Sequence, residues 1–410
     1  MIRIIHARAI LPMDGHSPVL EDHSLVCENG TLLDILPARE AEAKYPGAEH
    51  EDWPDAFAMP GFIDAHVHLA FSGGEDPLGD ILREKDQPDL RTLRILKNCR
   101  ASLLAGVTTV RDCGAAGNEI FSVRDAIRSG FLPGPDIVAC GRPFTVTGGH
   151  CWFLNQEVDG EEAMRQQARQ TLKDGADFLK IMISGGNMTP GSGSGVLQYS
   201  AGEVGAWAKE AAMRGKMTAA HVHSIDSIRE ATEAGISTLE HVSFMNRNGV
   251  AEFVPELAEA MAKNGTIFCP AFSASYRTAL ENFPEARRPF WKAFRASRMA
   301  ITRSILDSGV PMAMGTDAGC HLTRFEDFVL SLGILKEHLD LSHAAILASA
   351  TRVAAACCGM ADSKGSLEKG KDADVVMLNV NPLESLPSPE QVVGVYTRGR
   401  LAVRNGCLTA

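Results

Sequence analysis

The 410-residue sequence lacks the features that define several large classes of protein. It contains no run of 18 apolar residues, and its most apolar candidate, around His343 to Met360, is interrupted by Arg352, so we expect no membrane span. The start, MIRIIHARAILPMDG, has neither a long apolar core nor a cleavage site of small residues, which predicts that there is no signal peptide. Low-complexity segments and long linkers are also missing. These absences predict a cytoplasmic protein.

Charge and cysteine spacing exclude two further classes. A net charge of −11 argues against a nucleic-acid-binding face, which would need to be basic. Of the ten cysteines, only Cys357 and Cys358 stand close together, and they are adjacent rather than spaced like the cysteine pairs of zinc fingers. We therefore expect reduced, mostly buried thiols. The hydrophobic fraction of 45% is enough for a full core, and the expected partner is a small-molecule substrate.

Eight short apolar runs alternate with stretches of helical periodicity through the middle of the chain. Most runs are continuous and apolar or β-branched, which is typical of parallel strands buried on both faces. Eight such repeats over about 300 residues predict an α/β fold of the (β/α)₈ TIM-barrel type. An open doubly wound sheet is the alternative, but its usual GxGxxG turn is missing. The predicted strands are Phe62–His66, Val107–Asp112, Asp136–Cys140, Asp177–Ile183, Met217–His221, Ser237–His241, Thr266–Pro270 and Pro311–Thr316.

Local signals support the helices between these strands. Three predicted helices stop before or at a glycine, a common residue just past a helix end. Ser200 and Glu203 have the spacing of a capping box and predict the start of another helix, which runs to Arg214. The three helices are Leu90–Ala105, Glu161–Asp174 and Ala251–Asn264.

The two ends of the chain do not continue this repeat. Residues 1–57 contain short predicted strands with turns at Asp14-Gly15 and Asn29-Gly30. Residues 366–410 contain the predicted strands Ala373–Leu378, Val392–Thr397 and Leu401–Val403. We expect residues 1–57 and 366–410 to form one composite β-sandwich domain beside a barrel domain of residues 58–365.

Side chains that can bind metal stand at the ends of the predicted strands. Active sites of TIM barrels lie at the carboxyl ends of the strands, so these side chains should meet at one mouth. Histidines two residues apart on a strand share a face. Lys180 lies within an apolar run, where a lysine is seldom buried without a partner or a function. The side chains are His66 and His68 in strand one, Lys180 in strand four, His221 and His223 in strand five, Glu240 and His241 in strand six, and Asp317 after strand eight.

Several motifs resemble those of the amidohydrolase superfamily and follow the family's order. The resemblance spans nearly the whole chain and is closest to the imidazolonepropionase-related branch, which includes bacterial prolidase-like and Xaa-Arg or Xaa-Lys dipeptidases. The motifs are MPGFIDAHVH (residues 59–68), GVTTVRD (106–112), TGGH (147–150), LKIMISGG (179–186), AH (220–221), LEH (239–241), GTDA (315–318) and GSLEKGKDADVVML (365–378).

The resemblance implies a centre with two divalent metal ions, for which zinc suits the ligands best. Lys180 would react with CO₂ to form a carbamate that bridges both ions, because a carbamate is an anion with two oxygens whereas an ammonium repels metal. A hydroxide between the ions would be the nucleophile, and Asp317 would take its proton and pass it to the leaving amine. The implied ligands are His66, His68 and Asp317 for the more buried ion, and His221 and His241 for the more exposed one.

Two further histidines are expected near the substrate. In the related dipeptidases a histidine at the position of His150 contacts the substrate near the scissile bond, and a packing role is the alternative. The prolidase-like relatives commonly have Tyr where this chain has His223. The His223 imidazole could donate a hydrogen bond to the oxyanion or hold a loop in place. The choice of His221 over His223 as the metal ligand rests on the resemblance.

Two loop segments could also contribute to the site. The Gly- and Ser-rich loop Ser184–Tyr199 lacks a phosphate-binding pattern and predicts a lid. The segment Phe272–Trp291 contains Arg277, Arg287 and Arg288, one of which could bind a substrate carboxylate, although an exposed helix surface is the favoured interpretation.

The sequence thus predicts metal-dependent hydrolysis of an amide bond in a dipeptide or an N-acyl amino acid. The main alternative is hydrolysis of a cyclic amide, or of a carbamate or urea compound, on the same barrel. A deaminase is disfavoured because mononuclear deaminases lack the lysine of strand four. A non-catalytic scaffold is also disfavoured, because it should lack at least one metal ligand, whereas all six ligand positions are filled here. Because related enzymes are commonly oligomers, often octamers, we expect a homo-oligomer without nucleic-acid or membrane partners.

Overall fold

The fold is described from a computed structural model, which covers residues 1–84, 86–277 and 285–409. The bounds of the barrel strands stay within a few residues of the predicted apolar runs, and Val107–Asp112 and Val392–Thr397 match the predictions at both ends. The strands are β1 (Ile2–Ile10), β2 (Leu20–Glu21), β3 (His23–Glu28), β4 (Thr31–Pro37), β5 (Glu49–Pro60), β6 (Phe62–Val67), β7 (Val107–Asp112), β8 (Asp136–Ala139), β9 (Phe144–Thr145), β10 (Gln156–Glu157), β11 (Leu179–Met182), β12 (Thr218–Ser224), β13 (Thr238–Met245), β14 (Ile267–Cys269), β15 (Val375–Leu378), β16 (Val392–Thr397), β17 (Arg400–Arg404) and β18 (Cys407–Leu408).

Helices cover the outside of the barrel strands, and their ends follow local chemistry. The predicted capping box of Ser200 and Glu203 is confirmed at the start of its helix. Within the described residues, none of the helices is both long and apolar enough to cross a membrane. The α-helices are α1 (Ala38–Lys44), α2 (Pro77–Arg83), α3 (Pro88–Leu104), α4 (Glu119–Arg128), α5 (Glu161–Lys173), α6 (Ala201–Ala212), α7 (Ile225–Glu233), α8 (Pro255–Lys263), α9 (Arg288–Asp307), α10 (Phe328–Leu339), α11 (His343–Ser349) and α12 (Arg352–Cys357), and short 3₁₀ helices cover Glu285–Arg287, Phe325–Asp327 and Pro389–Gln391.

The barrel strands form two parallel sheets, ordered β10-β9-β11-β12-β13-β14 and β6-β7-β8. The predicted eighth strand, Pro311–Thr316, lies between them. Backbone hydrogen bonds of 3.0 Å join its first residue to Phe268 of β14 and its Met314 carbonyl to Ala65 of β6. It is not a regular strand, because the Met314 N–H donates to the carbonyl of Ser349, the last residue of α11, instead of to a strand. The segment nevertheless brings the two sheets edge to edge.

Strands from both ends of the chain form one nine-stranded sheet. Its order is β18-β17-β16-β15-β5-β1-β3-β4, with β2 on β1. Antiparallel pairing of β5 with β15 joins the two ends, with Phe57 opposite Leu378 and Pro60 opposite Val375. Only Gly61 separates β5 from the first barrel strand. The predicted association of the two ends is therefore present, and the division into domains at residues 57/58 and 365/366 stays a prediction.

A buried cluster of charges fixes this sheet to the barrel. The Lys364 ammonium is 2% exposed as a side chain and lies 2.7 Å from Asp136 at the start of β8 and 2.9 Å from Asp372. It also bonds to Asp374, and Arg398 donates two further bonds to Asp136. Burial opposes the charge of Lys364, but the three carboxylates raise its pKa well above the usual range. The ammonium fills the place where these carboxylates could otherwise hold a metal ion.

Candidate metal centre

His66 and His68 end the first barrel strand, and the Nδ1 atoms fix both rings. His66 Nδ1 lies 2.7 Å from Glu240 Oε2, and a carboxylate can only accept a hydrogen bond, so Nδ1 is the donor. His68 Nδ1 donates to the Gly114 carbonyl over 3.0 Å. Both rings therefore turn Nε2 toward the cavity, and a neutral ring held in this way can bind a metal through that atom.

Glu240 is fully buried behind His66 and holds that ring in place. It accepts hydrogen bonds from Arg111 Nη2 at 2.7 Å and from Thr238 Oγ1 at 3.1 Å. Burial alone would raise the pKa of Glu240, but the charge of Arg111 lowers that pKa below its usual range. Glu240 therefore stays a carboxylate and fixes the tautomer of His66.

Asp317 faces these two imidazoles. Its Oδ1 lies 3.5 Å from His66 Nε2 and 3.4 Å from His68 Nε2. Burial alone would raise the pKa of Asp317, but His68 and His66 lower it, so the side chain is a carboxylate. Its backbone has φ +61°, a strained value for a non-glycine residue of the kind found at functional sites. A side chain at Gly315 would collide with Cys269 and His66, so only glycine allows this approach.

A second group consists of His221, His223 and His241 at the ends of β12 and β13. One ring nitrogen of each lies within 4.8 Å of the others, and the rings of His221 and His241 are 4.6 Å apart. Burial, and then the neighbouring histidines, hold the pKa values of His221 and His241 well below the usual range. These rings are thus neutral and can act as ligands. His223 Nδ1 lies 2.8 Å from Ser243 Oγ.

Lys180 on β11 lies between the two histidine groups. Its side chain is almost fully buried, and its Nζ has no hydrogen-bond partner, nor does His221 Nε2. Burial is the main cause of the lowered pKa values of His66, His221 and His241, and the positive charge of Lys180 is a smaller cause. A buried ammonium without a partner is costly. The donor set therefore fits two divalent ions with a modified lysine between them.

His150 approaches this centre from the loop after β9. It is 4% exposed, and its Nδ1 has no hydrogen-bond partner. Burial lowers the pKa of His150 to about 4. Its backbone N–H donates to Gln198 Oε1 at 2.7 Å, which joins it to the predicted lid, Ser184–Tyr199. Two lid residues, Asn187 and Met188, line the cavity beside it.

The residues predicted as metal ligands or as substrate contacts line one cavity of about 170 Å³ at the carboxyl ends of the strands: His66, His68, His150, Lys180, His221, His223, His241 and Asp317. A larger cavity of about 870 Å³ lies between the terminal sheet and the opposite end of the barrel. That cavity has no histidine among its described lining residues, and two of its arginines, Arg128 and Arg398, are paired with Asp177 and Asp136. The smaller cavity is therefore the one equipped for chemistry.

The sequence did not reveal every residue of the site. Glu240 was predicted as one of the side chains that can bind metal, but its position behind His66 was not predicted, and Arg111 was noted only as part of a motif. Arg298 on α9 also lines the cavity and carried no signal. Of the arginines considered from the sequence, Arg277 pairs with Glu337 on α10, Arg288 is not among the described lining residues of the cavity, and the side chain of Arg287 lies outside the described residues.

Comparisons with known proteins identify the family of the chain. The family model described as "Amidohydrolase family" matches residues 57–402. Ochratoxinase from Aspergillus niger is 26% identical over 433 aligned residues, covering 98% of this chain and 86% of the relative. Imidazolonepropionase from Geobacillus kaustophilus is 25% identical over 400 residues, covering 88% of this chain and 85% of the relative.

Among solved structures, a Xaa-Pro dipeptidase with bound methionine in its active site has a TM-score of 0.82 and 27% identity, covering 98% of this chain and 99% of that one. The predicted resemblance and the predicted fold class are therefore confirmed. The family match and the enzymes among the relatives identify a hydrolase that acts on carbon–nitrogen bonds.

Proposed function

Because the chain belongs to the amidohydrolase family, we propose that it is a binuclear metal-dependent hydrolase that cleaves the amide bond of a dipeptide or an N-acyl amino acid. One observation carries this proposal. Lys180 is buried between two groups of metal-ligand side chains, and its Nζ has no partner. An ammonium has no stabilising role there, whereas a carbamate would bind both ions.

The proposed ligands are His66, His68 and Asp317 for one ion and His221 and His241 for the other, with carboxylated Lys180 between them. Zinc is the proposed metal, since imidazole and carboxylate ligands suit it. When bound, such ions lower the pKa of water to about 7 in well-studied cases and polarise the amide carbonyl.

The remaining chemistry falls to side chains of this chain. Asp317, a carboxylate at the cavity wall, takes the proton of the attacking water and delivers it to the leaving amine. His223 is held by Ser243 and donates a hydrogen bond to the oxygen of the scissile carbonyl. His150, whose Nδ1 is unpartnered, contacts the substrate near the scissile bond.

A similar solved structure and the size of the cavity support the choice of an amide substrate. The similar solved structure is a Xaa-Pro dipeptidase, whose name places its action on dipeptides. The cavity of about 170 Å³ is small for a ligand site, which favours a compact substrate over a long peptide. We further propose a cytoplasmic location and a homo-oligomer.

The test is a screen of dipeptides, N-acyl amino acids, lactams and carbamates with purified protein loaded with zinc. We expect release of a free amino acid from a dipeptide or an N-acyl amino acid. Elemental mass spectrometry should give about two zinc ions per chain. If only a lactam or a carbamate is hydrolysed, the substrate part of the proposal is wrong. A protein that binds no metal and hydrolyses nothing contradicts all of it.

A further inference from the structure

Arg298 is a buried cation in the cavity, and the described part of the chain gives it no acidic partner. It belongs to α9, is 9% exposed, and lines the same cavity as the proposed metal ligands. Among the described residues, no carboxylate lies within 4.0 Å of its guanidinium, whereas the other buried arginine of the site, Arg111, is paired with Glu240. A buried charge is costly unless it is paired. An anion that enters the cavity could therefore serve as the partner of Arg298.

Its neighbours hold the Arg298 guanidinium in one orientation. Nη1 donates to Tyr276 Oη at 2.5 Å, and Nη2 donates to the Pro270 carbonyl. The guanidinium carbon lies 4.9 Å from the centre of the Phe272 ring, a distance at which a cation is attracted to the ring face. These contacts use two of its five N–H groups, so the rest can bind a ligand. A fixed planar guanidinium suits the two oxygens of a carboxylate.

The described lining residues of the cavity offer no unassigned carboxylate that could pair with a positively charged ligand. Asp317 is the one acidic residue among the described residues that line it, and the proposed function assigns that carboxylate to a metal ion and to proton transfer. Four other lining residues, Phe71, Leu154, Met182 and Met188, are apolar. An ammonium group would therefore find no free acid here, whereas an apolar group would find a matching surface.

We propose that Arg298 binds the free carboxylate of the amino-acid half of the substrate, and that the substrates are N-acyl amino acids with an apolar acyl group rather than dipeptides with a free amino terminus. An N-acyl amino acid carries one carboxylate and no ammonium, which matches one unpaired arginine and no available acid. Water then splits it into a carboxylic acid and a free amino acid. This inference rests on the proposed function and narrows its substrate class.

The experiment compares matched substrates on zinc-loaded enzyme. The N-acetyl-L-amino acid that wild type hydrolyses fastest is measured beside its C-terminal amide and beside the dipeptide with glycine in place of the acetyl group. Because hydrogen bonds to a charged partner contribute about 1.5–3 kcal/mol, we expect wild type to prefer the acid over its amide by roughly 100-fold in kcat/KM. The dipeptide should be hydrolysed more slowly than the N-acetyl compound.

The variants assign that preference to one side chain. Arg298→Met should lower kcat/KM for the acid by roughly 100-fold, mainly through KM, and leave the amide unchanged. Arg298→Lys, which keeps the charge and loses the planar geometry, should lie in between. Arg295→Met is the matched control, because Arg295 also packs on Tyr276 but is not a described lining residue of the cavity. Zinc content and calorimetric binding of the released amino acid are measured for each variant.

The outcomes separate this inference from the proposed function. Equal hydrolysis of acid and amide by wild type, or an equal loss on both in Arg298→Met, overturns the role of Arg298. A dipeptide hydrolysed as fast as its N-acetyl counterpart overturns the N-acyl class. If Arg298→Met does not fold, the role of Arg298 is still tested by the preference of wild type for the acid over the amide and by the activity of Arg298→Lys. If wild type hydrolyses no amide at all, the proposed function fails as well.

Discussion

Replacing Lys180 with methionine tests the metal centre through stability as well as activity. Methionine keeps most of the volume of the lysine stem but removes the amine, whose Nζ is buried without a partner. In the metal-free protein, exchange of a buried charge for an apolar group should leave the free energy of unfolding unchanged or raise it by about 1–4 kcal/mol. In the presence of metal the sign of this difference should reverse, because the variant lacks the amine that we propose forms the bridge between two ions.

The size of that reversal follows from binding equilibria. A ligand at 100 times its dissociation constant stabilises the folded state by about 2.7 kcal/mol per site, so two ions should stabilise wild type by about 5 kcal/mol. Lys180→Met should gain little on addition of zinc and should have no activity. Lys180→Ala should also lose metal and activity, and a high concentration of a small carboxylate such as acetate should restore part of both by filling the gap.

The assay is thermal unfolding by calorimetry with and without zinc, together with zinc content per chain. Lys216→Met is the matched control, since it makes the same chemical change at an exposed position. Electron density of a metal-loaded crystal should show a planar three-atom group beyond Nζ of Lys180, between two metal peaks. If Lys180→Met retains two ions and the wild-type gain in stability, or if the density ends at Nζ, the bridging role is refuted.

Four further predictions concern other parts of the molecule. Glu240→Gln removes the carboxylate that fixes the His66 tautomer and should weaken zinc binding by about 10- to 100-fold in a competition titration; an unchanged affinity would show that His66 needs no such support. Lys364→Met leaves buried carboxylates unpaired and should lower the free energy of unfolding by about 3–5 kcal/mol in denaturant titrations, whereas a loss below about 1 kcal/mol would contradict the account of this cluster. The hydrogen bond from Lys44 and then that from Tyr45 lower the pKa of Asp34 from 3.8 to about 2. The extra stability of wild type over Asp34→Asn should therefore be present at pH 5 and should fade as the pH falls from about 4 toward 2. Calorimetric scans that show the same difference in stability at every pH would refute this prediction. Light scattering should give a mass several times that of one chain, and a clean monomer in dilute buffer would disprove the homo-oligomer.

The clustering of the proposed metal ligands could be predicted because each carries a local signal. His66 and Asp317 directly end or follow buried strands, and Lys180 interrupts an apolar run, so the barrel rule places them at one mouth. Their order along the chain also matches a known family. None of this requires knowledge of how a helix is rotated or where a long loop lies.

Arg298 could not be predicted because it carries no local signal of this kind. Helix α9 also contains Arg288, Arg295 and Arg303, and the sequence does not show which of them faces the cavity. That depends on how α9 packs against the barrel and on the loop before it. The predicted eighth strand differs for a related reason, since its Met314 N–H bonds to the end of a helix, and the sequence does not show where that helix end lies.

The pairing of β5 with β15 also constrains the order of events during synthesis. Residues 49–60 leave the ribosome early, but the strand that completes their side of the sheet follows about 300 residues later, a delay of roughly 15–60 s at ordinary rates of translation. Throughout that time β5 has an unpaired edge, which is the kind of surface that other nascent chains and chaperones bind. The first barrel strand begins only one residue beyond β5. A chaperone that covers this edge would therefore also lie next to the first barrel strand. Slower translation of the last forty residues would prolong the time for which the edge of β5 is exposed.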